Sequence, residues 1–402
     1  MTDIYDVLII GGGPGGLTAG IYCARGKMKT LMLEGASRTG GQCAKTSELE
    51  NWPGVMESTG PALMDTFQAH AEKFGVEIKR GEVTDIKVAD DGFIKTVTTK
   101  KGETYQAKSL ILSTGAGPRI LNIPGEKEFT GKGVSYCATC DADFFEDLDI
   151  VVVGSGNTAV EESVFLTKFV NSVKMVVLHD EGTLDADRTA QEQAFANDKI
   201  EFIWNSSVAE ICGDELVGGV KVKNLKTGEI EEVECDGVFM FVGTVPNTKF
   251  LEGFVELSNG GYITTGDMQE TNVPGVFAAG DVCDKFLRQV VTAAGDGATA
   301  AVASERYIHE EEHWQHSVTK AEGDVLVVFW NPLEEMSIEM MPHLDKLAAD
   351  NSLKLVTMDT YKSSNIADRY SVSGGFTVIH FRDGQEIKRV ASPTADTLKE
   401  LL

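Results

Sequence analysis

Residues 5–10, YDVLII, form a short apolar run, and soon afterwards apolar residues return at helical spacing through Leu17, Ala19, Ile21, Tyr22 and Ala24. Short apolar runs bounded by turn-formers predict buried strands, and the 3.6-residue recurrence predicts a helix. A second strand over 30–33 ends on Glu34. The pattern then recurs as a strand over 150–153, an amphipathic helix over 160–169 and a strand over 174–178. Between the two units lies a strand- and turn-rich stretch, 81–107, ending in the apolar run 109–115, and a similar run, 237–243, closes the second unit. GVFAAGDV at 275–282 is an apolar strand with a glycine and an acid at its end, followed by a helix over about 291–309. Beyond a polar, acid-rich stretch come a strand over 325–329, a helix over 336–349, strands over 353–358, 377–381 and 386–390, the last two joined by a turn, and a closing helix over 394–402. The order predicts an α/β fold: two Rossmann-like units and a small α/β tail. The expected division is 1–116 with 247–310, 117–246 inserted between them, a linker at 311–323, and the tail at 324–402.

Each of the first two units has glycines at its strand-to-helix turn. GGGPGG at 11–16 carries Gly11, Gly13 and Gly16 in G-x-G-x-x-G spacing, and Gly154, Gly156 and Ala159 give G-x-G-x-x-A. The first glycine allows the tight turn, the second lets backbone approach a pyrophosphate, and the third position lets helix and strand close-pack. The helix N-terminus then carries the diphosphate, and an acid such as Glu34 accepts from ribose hydroxyls. Two dinucleotide sites in one chain are predicted, the alternative being that the second is a duplicated fold with nothing bound.

Composition narrows the picture. The 402 residues suffice for two to four domains. A net charge of −26 repels nucleic acid and anionic membranes, so neither is an expected partner. No stretch reaches the roughly 18 apolar residues of a membrane span. The N-terminus, MTDIYDVLIIGGG, carries acids where a secretory signal would carry positive charge. The expected location is cytoplasmic. Seven cysteines are too few and odd in number for a disulfide framework, yet Cys137 and Cys140 form C-x-x-C. In a reducing compartment that spacing indicates redox or metal chemistry. A zinc site would need a second ligand pair, and Cys212 and Cys235 are not at ligand spacing. Two buried thiols remain the plain alternative. Asp141, next in the chain, is placed to exchange a proton with a thiolate, or is simply a capping or surface acid.

The ordered motifs GGGPGG, GGQ at 40–42, ENWPG at 50–54, CATCD at 137–141, GSGNTAVEE at 154–162 and GDV…RQVVTAAGDGATAA resemble low-molecular-weight bacterial thioredoxin reductase over about residues 1–310. The resemblance implies two FAD/NAD(P)-binding domains of three-layer ββα form. It implies that Gly11, Gly13, Gly15, Gly16, Glu34, Gly41, Gln42, Asn51, Thr114, Gly115, Asp281, Gln289 and Val290 line FAD. Gly154, Gly156, Asn157, Thr158 and Ala159 would hold a nicotinamide dinucleotide. It further implies that Cys140 faces the flavin and Cys137 attacks the partner disulfide. The resemblance also implies that the inserted domain rotates to present first nicotinamide and then the dithiol, and that the protein is a homodimer.

Two departures stand out. The family grips the NADPH 2′-phosphate with HRRxxxR, but here residues 179–185 read HDEGTLD, with an acid in place of every arginine. One acid at about 6 Å with an effective dielectric near 40 costs roughly 1.4 kcal/mol, about tenfold in affinity. NADPH is therefore a poor ligand, and Asp180 or Glu181 suits the free ribose hydroxyls of NADH. The alternative donor is a ferredoxin or a reduced deazaflavin. A third reading makes the protein a flavin sensor or scaffold that binds a partner through its tail. The second departure is that tail. VLVVFWNPLEEMSIEMMP resembles the opening of thioredoxin, but Glu334 and Ser337 fall on the two cysteine positions, and Phe376, in SGGFT at 373–377, falls on the proline position. No cysteine follows Cys283. The thioredoxin-like tail thus performs no dithiol exchange; Trp330 and Phe376 read as packing, and docking, dimerisation or regulation is its expected role. The dithiol's partner is a separate thioredoxin-like protein. Cys23, Cys212 and Cys235 read as small apolar fillers, Cys43 and Cys283 as fillers or flavin neighbours, and His309, His313 and His316 as solvated linker residues.

Overall fold

The computed structural model describes residues 4–45, 49, 51–360, 364–372, 375–394 and 396–401, without the side chains of Thr139, Cys140 and Ser364. Along the chain come β1 (Ile4–Ile10), α1 (Pro14–Arg25), β2 (Thr30–Glu34), α2 (Gly60–Phe74), β3 (Glu77–Arg80), β4 (Val83–Val88), β5 (Lys95–Thr99) and β6 (Thr104–Leu112). Pro14 opens α1, where its fixed φ suits the first helical position and its missing N–H costs nothing. These strands form one sheet in the order β3-β2-β1-β6-β5-β4. Strand β1 is parallel to both neighbours, with Val7 beside Thr30 and Leu8 beside Leu110. Covered on both faces, it is apolar almost throughout, as a central parallel strand must be.

The chain leaves this sheet on β7 (Ala116–Pro118) and builds a second unit: β8 (Val134–Ser135), α3 (Ala138–Asp141), β9 (Asp149–Val153), α4 (Asn157–Leu166), β10 (Ser172–Val176), α5 (Arg188–Phe195) and β11 (Ile200–Ile203). An antiparallel meander follows in β12 (Ser206–Gly213), β13 (Val217–Asn224) and β14 (Ile230–Glu234), after which β15 (Gly237–Met240) completes a parallel sheet ordered β11-β10-β9-β15-β8. The return strand β16 (Thr244–Pro246) pairs antiparallel with β7. Exit and re-entry therefore run side by side. Back in the first unit, β17 (Val276–Ala278) adds to β6, and α6 (Val290–Trp314) packs on α1. That contact needs glycine, because a Cβ at Gly297 would lie 2.1 Å from the Gly15 carbonyl oxygen.

The polar stretch expected as a linker is helical instead. Helix α6 runs to Trp314 and passes into a wider turn, Gln315–Thr319. Trp314 and Val318 are buried in the core of the tail, and Glu311 is buried beside Arg369. The tail itself is β18 (Asp324–Trp330), α7 (Glu335–Asp350), β19 (Lys354–Asp359), α8 (Ser364–Arg369), β20 (Thr377–Arg382) and β21 (Gln385–Ala391), with sheet order β19-β18-β20-β21. The closing helix expected over 394–402 is a short 3-10 turn, Thr397–Leu401; Ala395 and Leu402 lie outside the described residues. So do Ser373 and Gly374 of the loop singled out in the sequence, whereas Phe376 is buried against Val328, Leu344 and Leu398. The fold is α/β throughout. Among the described residues no helix is long and apolar enough to cross a membrane.

Candidate active site

The first Gly-rich turn is shaped by glycines with no room for a side chain. Gly11 has φ +102°, and a Cβ there would sit 2.3 Å from the Ser113 carbonyl oxygen; one at Gly16 would sit 2.0 Å from that of Gly11. At Gly13 a Cβ would meet nothing within 4 Å, so the turn is open on that side. Helix α1 has no side-chain cap and no acid in its first turn, leaving its N-terminal N–H groups and dipole free for an anion. The Glu34 carboxylate accepts from the Gly12 and Ala36 N–H groups, both at 2.7 Å, which pins it beside the turn. Gly40 donates to the Gly12 carbonyl and brings Gly41 against Gly13. A Cβ at Gly117, on β7, would lie 3.7 Å from the Gln42 amide.

The far side of this cradle comes from residues 279–293. Gly15 packs against the backbone of Ala279 and Ala293. The Asn51 amide donates to Gln289 at 3.0 Å, and Gln289 and Thr292 cap the helix that Val290 begins. Thr114 and Asn247 exchange hydrogen bonds at 2.9 Å, and Asn247 also donates to the Gly115 carbonyl. Asp281 has a buried Oδ1 with no partner among the described residues, and burial raises its pKa against the opposing pull of Lys285 and Arg288. An orphaned buried carboxylate oxygen beside an open, uncapped helix N-terminus fits a polar dinucleotide such as FAD.

The second turn repeats the geometry. Gly154 has φ +139° and its Cβ would lie 2.3 Å from the Phe241 carbonyl oxygen, while Gly156 faces open space. Ala159 is buried, Thr158 is exposed, and α4 carries no side-chain cap. Asn157 is engaged: its Oδ1 accepts from the Asp187 N–H at 2.6 Å. The three acids predicted to face the nucleotide separate here. Asp180 pairs with Lys226, and Glu181 is exposed. Asp185 is fastened to the turn. Its N–H donates to the Ser155 carbonyl, its carboxylate accepts from the Ser155 hydroxyl at 3.0 Å, and His179 Nε2 lies 2.6 Å away. Those hydrogen bonds hold its carboxyl below the usual carboxylate pKa. Of the acids, Asp185 therefore sits on the Gly-rich turn, rather than Asp180.

The C-x-x-C segment begins at the end of β8. Cys137 is the N-cap of α3 and is held in a disulfide, while the Cys140 side chain lies outside the described residues. Asp141 Oδ2 accepts from the Ser135 hydroxyl at 2.6 Å, and Ser135 Oγ accepts from the Cys137 N–H at 3.1 Å. Behind α3, Ala138 and Ala142 share a core with Ala159 of α4. On α4, Glu162 has a buried Oε2 without a partner among the described residues, and burial together with Glu161 pushes its pKa up to about 7. The sequence reading missed Ser135 and Glu162. Ser135 carries no spacing signal at all, and Glu162 is signalled only by the doubled acid in VEE. Phe144, just past the segment, is largely exposed. The other cysteines are unlike these: burial pushes Cys23, Cys235 and Cys283 up to about 12 and Cys43 to about 11. His309, His313 and His316 are exposed on α6 and the turn beyond it.

Residues 5–297 match the pyridine nucleotide-disulphide oxidoreductase family and residues 305–402 the thioredoxin family. The thioredoxin reductase of Peptoclostridium litorale is 50% identical over 317 residues, covering 77% of this chain and 99% of that protein. The bifunctional thioredoxin reductase/thioredoxin of Mycobacterium leprae is 36% identical over 445 residues, covering 99% of this chain and 96% of that protein. Among solved structures, Lactococcus lactis thioredoxin reductase is 43% identical with a TM-score of 0.64, covering 76% of this chain and 99% of that one.

Proposed function

Since this chain belongs to the pyridine nucleotide-disulphide oxidoreductases, and among them to the thioredoxin reductases, we propose that it takes electrons from NADH and delivers them, through the disulfide of Cys137 and Cys140, to a separate thioredoxin. FAD, bound by the first cradle, supplies the two-electron step between a hydride donor and a disulfide. Around it, the α1 N-terminus would take the diphosphate, Glu34 the ribose hydroxyls, and Asp281 a donor that answers its orphaned oxygen. Cys137, once reduced, attacks the partner disulfide; a new S–S bond forms, the partner's bond breaks, and Asp141 gives its proton to the departing thiolate. Cys140 then closes on Cys137, releasing the partner as a dithiol and restoring the disulfide. The electrons balance as two per cycle.

NADH is favoured over NADPH by one observation above the others: Asp185 is hydrogen-bonded to the second Gly-rich turn itself. A fixed carboxylate there opposes a 2′-phosphate, and Lys226 offsets only Asp180. The acceptor is a thioredoxin in trans because the tail has no cysteine and is anchored to α6 through Trp314 and the pair of Glu311 with Arg369. A cytoplasmic homodimer is the assembly we propose. The donor is tested anaerobically, by following the visible absorbance of the FAD-loaded protein while titrating NADH and NADPH in turn. Bleaching by NADH at far lower concentration supports this reading. Preference for NADPH would refute the role given to Asp185, and silence with both would move the donor to a ferredoxin or a reduced deazaflavin.

A further inference from the structure

We propose that Ser135 is a positioning residue for the acid that serves the dithiol, an inference that rests on the disulfide chemistry proposed for Cys137 and Asp141. Ser135 is 5% exposed, and its place is fixed by the parallel pairing of β8 with β15, where it lies beside Phe239. Its hydroxyl oxygen has three neighbours: Asp141 Oδ2 at 2.6 Å, the Cys137 nitrogen at 3.1 Å and the Cys137 carbonyl oxygen at 3.2 Å. A hydroxyl has one hydrogen to give. The shorter contact, to a charged oxygen, takes it, because charge-assisted hydrogen bonds are the stronger ones. The oxygen meanwhile accepts from the Cys137 N–H. Ser135 thus links the backbone at the first cysteine to the carboxylate four residues later. It holds Asp141 Oδ2, while Oδ1 has no protein donor among the described residues and stays available to carry a proton.

One consequence follows from that link. Without the hydroxyl, the carboxylate is free to turn away from the start of α3, so proton delivery slows while partner docking does not change. A merely structural serine would not lower kcat selectively.

The test uses the full-length, FAD-loaded protein and its S135A, S135T, D141N and S135A/D141N variants. Two readings are taken: kcat and KM for an added oxidised thioredoxin, and the rate of Cys137 alkylation by iodoacetamide in the reduced protein, followed by mass spectrometry. S135A should lower kcat roughly tenfold at constant KM and constant alkylation rate, with S135T restoring kcat. The double variant should be no slower than D141N, since the serine acts through the acid. Independent, multiplicative losses in the double variant, an undiminished kcat in S135A beside a slow D141N, or a loss of kcat in S135A matched by an equal loss of alkylation rate, would overturn the proposal. Wild-type speed in D141N would instead overturn the acid's role, and with it that of Ser135. If S135A does not fold, S135G takes its place in the same cycle.

Discussion

Two strand-to-helix turns in this molecule share a layout and differ in what their polar groups do. At the first, β8 leads into α3 with Cys137 as N-cap, and the buried Ser135 hydroxyl ties the backbone there to Asp141. At the second, β18 leads into α7 with Glu334 as N-cap. There the buried Ser337 hydroxyl accepts from the Asn331 N–H at 3.2 Å, and Asn331 Oδ1 accepts from the Leu333 N–H at 3.0 Å. At the tail turn, side-chain oxygens accept backbone N–H groups and shape the loop. At the reductase turn, one carboxylate oxygen has no protein donor among the described residues. Beyond these turns, Glu126, Glu162, Asp281 and Arg288 in the reductase portion bury polar atoms that lack partners among the described residues, and so does Trp314, whose ring lies in the tail's core. A buried polar atom without a partner costs about 1–3 kcal/mol.

The comparison breaks most sharply at Cys137. C137S should cost about a thousandfold or more in thioredoxin reduction with FAD still bound, because no residue of the tail can stand in. Measurable thioredoxin reduction surviving in C137S would place the chemistry elsewhere. The next largest effect concerns the junction. Trp314 packs against the rings of Phe329, Tyr370 and Phe381 at 5.0–6.1 Å. W314A should destabilise the tail by about 3–5 kcal/mol, which calorimetry would show as an early separate transition. The reductase portion should unfold where it does in the wild type, as a relative that stops at its end suggests. Coincident loss of both transitions would mean that the two parts fold as one.

Glu162 gives a pH test of the partnerless groups. Its pKa in the folded protein is raised to about 7, against an ordinary value near 4.3 when unfolded. Between those values the folded state holds the extra proton, so stability falls as pH rises through the window and levels off above about 7. The slope should be roughly 1 kcal/mol per pH unit from this group, and E162Q should flatten it, while S337A in the tail should leave it unchanged. An equal slope in E162Q would show that the carboxyl finds a partner. A smaller effect belongs to Asp185, whose Oδ2 is hydrogen-bonded while the side chain faces solvent. D185S should shift the ratio of NADPH to NADH affinity by about tenfold, measured by equilibrium binding to the oxidised protein. No shift would return the discrimination to Asp180 or Glu181.

Much of this was legible because it is written in backbone requirements. Gly11, Gly16 and Gly154 stand where a Cβ would strike a carbonyl oxygen, so their spacing survives as a readable motif, and C-x-x-C is legible because the thiols must meet across one turn. Ser135 was not, since a single serine on a two-residue strand makes no pattern. The end of α6 was hidden for a different reason. Its core positions run Tyr307, Ile308, Glu311, Trp314 and Val318, and the charged Glu311 interrupts the apolar period because its partner, Arg369, comes from 58 residues away. Helix α8 was missed as well, being only six residues long. The acids of residues 179–185 were visible, but Lys226, which pairs with Asp180, approaches from beyond β13.

The most direct measurement is multiple-turnover reduction of a separately added, oxidised thioredoxin by the full-length, FAD-loaded chain with NADH as sole donor, counting thiols formed against NADH consumed. Sustained turnover with two partner thiols per NADH, abolished in C137S, is the expected result. A single stoichiometric burst that then stops would contradict it, leaving a flavoprotein that reduces its own cysteines once and passes nothing on.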